Sequence, residues 1–181
     1  MERVEKLAKE YDITVEGRAY YLRPDTPKEG QVREPRPGEE DGELSEPLRT
    51  QAREAGLVMR RLSRTPNSTY ALEATEYAQQ HGKFMEFHQA AYRALWSDGK
   101  DLGDLAVIGE VGESVGLDSA DLLKCLEEER LSSTVMGQYQ EALKYGIRGI
   151  PTFLVGNLMF TGAQPYDVFQ EAMKRVLEQA A

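Results

Sequence analysis

The sequence predicts an α/β protein in which a helical block interrupts a strand-containing framework. Three observations carry this reading. A β-branched and aromatic stretch lies near the start, a hairpin signal lies near the end, and apolar residues at helical spacing fill the middle.

The chain opens on helix-like sequence from Met1 to Glu10. Ile13 to Leu22 carries β-branched and aromatic residues in partial alternation and is predicted as a strand. From Arg23 to Pro47 the prolines Pro24, Pro27, Pro35 and Pro37 break regular structure, and Glu39 to Glu43 is acidic, so this stretch is predicted as a solvated loop. Further on, Phe84, Phe87, His88, Ala91, Tyr92 and Leu95 recur at helical spacing and predict one core-facing stripe. A helix is expected over Leu102 to Val115, ended by Gly116. Asp118 then caps a helix bearing Leu122, Leu123 and Leu126. Val135, Met136, Tyr139, Ala142 and Leu143 define another, stopping near Gly146.

The pattern then changes. Thr152–Val155 and Leu158–Thr161 flank Gly156-Asn157, a two-residue hairpin turn. Pro165 suits the first turn of a last helix, and Asp167 complements its dipole. Phe169, Met173, Val176 and Leu177 are expected to form that helix's buried face.

Composition narrows the function classes. Twenty-two Lys and Arg stand against 31 Asp and Glu, a net charge of −9, which speaks against nucleic acid as a partner. The longest uncharged stretch, Gly149 to Tyr166, is broken by two prolines and two interior glycines, so no membrane span is expected. No secretory leader is visible, and a single cysteine fits a reducing compartment, so the expected location is the cytoplasm.

Few residues offer chemistry on their own. His81 and His88 are the only histidines and belong to no metal-binding motif; no metal site is expected, and His88 is read as a packed core residue. Cys125 sits among Leu122, Leu123 and Leu126 with Glu127, Glu128 and Glu129 nearby, and reads as a structural cysteine.

Three stretches resemble the DsbA-like thioredoxin superfamily, specifically its FrnE-like branch. They are Leu22 to Gly30, His81 to His88, and Gly146 to Phe153 with Thr161 to Pro165 after it. The resemblance implies a thioredoxin-like fold with an inserted α-helical domain: residues 1–47 as the N-terminal part, 48–146 as the insertion and 147–181 as the closing β-β-α unit. It also implies that Ile150–Pro151 is cis and that Ile150, Pro151 and Thr152 form the substrate-binding segment. A cis proline turns the chain sharply, and the neighbouring backbone can then pair with an extended peptide or with glutathione.

The family's C-x-x-C pair and its first, central strand precede the first helix, and so fall before Met1. No catalytic residue is therefore assigned in this chain, and as it stands it is expected to lack dithiol activity. No cofactor is expected, glutathione being a substrate candidate instead. Related glutathione-dependent isomerases and kappa-class transferases, which use a serine in place of the cysteines, are the alternative reading; a non-catalytic peptide-binding module is another. Without the central strand the sheet has a gap. Unpaired buried backbone groups cost about 1–3 kcal/mol each against a net stability of about 5–15 kcal/mol. An upstream start, a rearranged sheet or a strand from a second copy, as in a homodimer, would each resolve it.

Overall fold

The computed structural model describes residues 2–39, 42–54 and 56–180. Helix α1 (Glu2–Glu10) turns Val4 and Leu7 inward. A two-residue strand β1 (Gln31–Val32) pairs antiparallel with β2 (Arg64–Thr65), and the short helix α2 (Leu48–Glu54) lies between them in sequence. Five helices follow: α3 (Thr69–Gln80), α4 (Phe84–Trp96), α5 (Leu105–Ser114), α6 (Ser119–Glu127) and α7 (Ser132–Lys144). The hairpin β3 (Thr152–Val155) and β4 (Leu158–Thr161) leads to α8 (Tyr166–Ala180).

The helical middle builds its own core. Ala74, Tyr77, Phe87, Ile108, Leu122 and Leu126 belong to one buried cluster drawn from α3, α4, α5 and α6. The Asp104 carboxylate accepts from the Ala106 N–H at 2.8 Å, and Asp118 from the Asp121 N–H at 3.0 Å, so each helix starts at a satisfied cap. The first of these caps explains why α5 begins at Leu105 and not at Leu102. Gly112 allows the close packing of α5 on α6: a Cβ there would meet Leu122 Cδ2 at 2.6 Å.

The framework is thinner. Val4 and Leu7 of α1 and Phe169 and Met173 of α8 are its buried centre, lined by Tyr11, Ile13, Val15, Phe153, Val155 and Phe160. The hairpin has the expected register, Phe153 opposite Phe160 and Leu154 opposite Met159. Phe153, Phe160 and Phe169 meet as a trio with centroids 4.8–5.4 Å apart.

Four expectations are corrected. Residues 13–22 form no strand, since no ladder partner lies beside them among the described residues; burial nevertheless alternates with period two from Tyr11 to Tyr21. The loop after Arg23 is not wholly irregular, because β1 closes onto β2 and buries Glu39. Its carboxylate takes Arg33 Nη2 at 2.7 Å and the Arg36 N–H at 3.1 Å. The α4 stripe divides. Phe87 and Ala91 are core, whereas Tyr92 is half exposed and forms, with Phe84 and His88, a ring ladder on the other flank. On α8, Leu177 faces out, whereas its neighbour Val176 is half-buried against the hairpin turn at Gly156.

Candidate functional site

Ile150, Pro151 and Thr152 lie where the chain leaves α7 and enters β3. Gly146, with φ +74°, ends the helix, and the chain bends at residues 149–151 before it enters the hairpin. The Ile150–Pro151 peptide is cis, as is Glu46–Pro47. Ile150 is 48% exposed, and Pro151 is exposed as well. The Pro151 carbonyl accepts from the Gly162 N–H at 2.8 Å, and the Thr152 hydroxyl donates to the Gly149 carbonyl at 2.8 Å. Proline has no N–H of its own. Ile150, whose backbone makes no hydrogen bond among the described residues, is left to pair with a ligand, and Thr152, opposite Thr161 at a non-hydrogen-bonded position, points its backbone groups away from β4.

The extended stretch 12–21 approaches this segment: the Tyr20 hydroxyl donates to the Ile147 carbonyl at 3.4 Å, and Tyr20 and Tyr21 each meet the Tyr139 ring edge-on at 5.4 Å. Side chains of the helical block hold this stretch in place of a strand. The Gly17 N–H donates to Gln79 Oε1 and the Ala19 N–H to Gln138 Oε1, both at 2.7 Å. Gln138 is buried, and its amide nitrogen donates in turn to Glu76 at 2.8 Å. Gly17 is needed here, because a Cβ would fall 2.1 Å from the Phe84 ring. No local pattern in the sequence marks the two glutamines, since each bond spans 62 or more positions.

Beside Arg18 a cleft of about 620 Å³ runs along α7, lined by Gln138, Glu141, Lys144 and Tyr145. Arg18 pairs with Glu16 at 3.1 Å and Glu141 at 3.8 Å, so its charge is already matched.

The other titratable candidates are structural. Cys125 is buried, and burial pushes its thiol pKa up, away from a reactive thiolate. His88 is wedged between Phe84 and Tyr92, and desolvation lowers its pKa to about 4, keeping it neutral. His81 stacks on Tyr77 at 4.1 Å, and Tyr77 donates to Asp121 at 2.8 Å. Among the described residues no group of three His, Cys, Asp or Glu could hold a metal ion, and no helix is long and apolar enough to cross a membrane.

The DSBA-like thioredoxin domain family matches residues 1–174. The chain belongs to that family. The fold is shared with the probable DsbA oxidoreductase from Streptomyces coelicolor, at a TM-score of 0.78 and 23% identity over 97% of this chain and 82% of that one. A 2-hydroxychromene-2-carboxylate isomerase overlays with a TM-score of 0.72 and 19% identity, over 98% of this chain and 88% of the isomerase. The Bacillus subtilis (strain 168) protein YwbO is 28% identical over 113 residues, 60% of this chain. The chain matches about half the length of that relative, 54%.

Proposed function

We propose that this chain is the substrate-binding scaffold of a DsbA-family thiol–disulfide oxidoreductase of the FrnE-like type, working in the reducing cytoplasm. The observation that carries it is the exposed Ile150-Pro151 pair leading into the half-buried Thr152 at the mouth of the β3–β4 hairpin, with the Ile150 backbone unpaired among the described residues. An extended peptide can pair with that backbone as an added strand and lay an apolar side chain against Ile150. The reaction itself needs a thiolate and a resolving thiol. These 181 residues carry only Cys125, which is buried, so they bind without exchanging disulfides.

Two measurements test this. Insulin-disulfide reduction by the 181-residue chain should stay at the rate of the reductant alone. Titration with an unfolded peptide should shift the amide resonances of Ile150 and Thr152 saturably, and Ile150→Asp should weaken that binding. Robust insulin reduction, or no saturable shift, refutes the reading.

The overlay on the chromene-carboxylate isomerase supports a second reading, in which glutathione is the ligand of the same segment. Titration separates the two: glutathione saturating the Ile150 and Thr152 shifts while peptides do not favours the isomerase type.

A further inference from the structure

We propose that Glu73 is a proton-operated latch: neutral, it holds the start of α7 against α3, and ionised, it releases that end of α7 and its grip on residues 19–21. Glu73 is 2% exposed, and its Oε2 has no hydrogen-bond partner. The Ser132 hydroxyl, in the first turn of α7, hydrogen-bonds its carboxyl. Three titratable groups face it: Tyr21 from the extended stretch, Cys125 from α6, and Glu129 from the turn between α6 and α7. None is a cation. Arg130, in the same turn, is already engaged by Glu128 at 2.6 Å and Asp121 at 3.3 Å. Glu76, one turn along α3, is taken by the Gln138 amide. A carboxylate ionising in these surroundings has no water to solvate it and meets a like charge.

The link beside Glu73 concentrates the effect. α6 closes with the Glu129 N–H on the Leu126 carbonyl at 3.1 Å and the Arg130 N–H on the Cys125 carbonyl at 3.0 Å. In such an ending the left-handed position usually belongs to glycine. Here it belongs to Glu129, whose φ of +51° is the one positive value at a non-glycine residue among the described residues. Backbone strain and charge repulsion thus fall on the same residue, and α7 begins just after it without a side-chain cap. The first turns of α7 reach the framework. Val135, with no exposed surface, packs with Ala19 and Tyr21, and Gln138 accepts the Ala19 N–H at 2.7 Å. Moving the start of α7 therefore loosens Ala19, whereas Ile108 belongs to the other core cluster.

The test is amide hydrogen exchange of the 181-residue chain from acid to neutral pH, each rate divided by the intrinsic rate at that pH. Protection of Ala19 and Val135 should fall about tenfold per pH unit above 4.5 and level off once pH passes the folded pKa of Glu73, as release of a single proton requires. Ile108 should keep its protection throughout. Glu73→Gln is neutral at every pH and should hold Ala19 and Val135 protected and flat. Glu129→Gln removes the like charge, so the levelling-off should come at lower pH with the slope before it unchanged.

Should Glu73→Gln fail to fold, the carboxyl carbon shift of Glu73 in the native chain takes its place, and its titration midpoint should coincide with the end of the Ala19 slope. The proposal is overturned by any of five results: Ala19 protection that is flat with pH in the native chain, an equal fall in Glu73→Gln, Ile108 falling in step with Ala19, a levelling-off that Glu129→Gln does not move, or a Glu73 midpoint away from the end of the slope.

Discussion

The helical block and the strand-containing framework solve the same problem with unequal means. In the block, Phe87, Ile108 and Leu122 have no exposed surface, and backbone groups are satisfied within helices or at caps such as Asp104 and Asp118. In the framework, four buried residues are ringed by partly buried ones, and one extended stretch is held by glutamine side chains in place of a ladder. The difference teaches where stability and adaptability reside. Helices close their hydrogen bonds locally, so a helical insertion can complete its own core. A sheet needs a neighbour for each strand, and the stretch 12–21 has no ladder partner among the described residues.

The sharpest test compares two phenylalanines. Phe87→Ala removes a fully enclosed ring from α4 and should cost about 3–5 kcal/mol in denaturant unfolding. Phe169→Ala should fall at or below the lower end of that range, because Phe153 and Phe160 beside it are only partly buried and can relax into the space. A larger loss at Phe169 would reverse the proposed division of stability.

These two regions also differed in how far the sequence disclosed them. The helices were legible from apolar spacing and from Asp118 and Gly146, because capping and periodicity act within a few residues. The hairpin was legible for the same reason, through Gly156-Asn157. At Ile13–Leu22 the alternation was visible, but strand identity depends on a partner, and alternation does not say whether one exists. The capture of Gly17 and Ala19 by Gln79 and Gln138 was not legible. Nor was the two-residue β1–β2 pair, which sets Gln31 against Thr65 and Val32 against Arg64 across a long loop. At the candidate site, Ile150, Pro151 and Thr152 were reached through the motif they resemble. That Pro151's carbonyl is taken by Gly162 and Ile150's backbone is free required the structure.

Gln138→Ala tests the surrogate strand directly. It leaves the Ala19 N–H without its acceptor and Glu76 without its amide donor, and should cost about 1–3 kcal/mol. Hydrogen exchange should speed up at Ala19 while the α5 and α6 amides stay protected. Uniform acceleration across the chain would show that stretch and block unfold as one unit.

Smaller again is the cap of α6. Asp118→Ala removes one side-chain acceptor for the Asp121 N–H and should lower stability by about 1 kcal/mol. No change would mean that solvent replaces the bond and that the start of α6 is fixed by packing alone.

Two buried glutamates carry the contrast down to single groups. Glu39 sits in the β1–β2 loop against Arg33 and Arg61, and the Arg36 N–H bond holds its pKa below the usual glutamate value. Glu73, on α3, forms no ion pair among the described residues. It is 2% exposed, Oε2 has no hydrogen-bond partner, and burial followed by repulsion from Glu129 raises its pKa. A raised pKa means the folded state binds the proton more tightly than the unfolded state. The stability that follows is fully present below the ordinary value of 4.5 and is lost as pH rises through the folded pKa. Glu73→Gln keeps the shape and removes the titration. Its melting temperature relative to the native chain should therefore rise as pH increases above 4.5, from the smallest difference at the acid end. A difference that is flat with pH, or that falls, would show that Glu73 carries a charge in the fold and has a partner there.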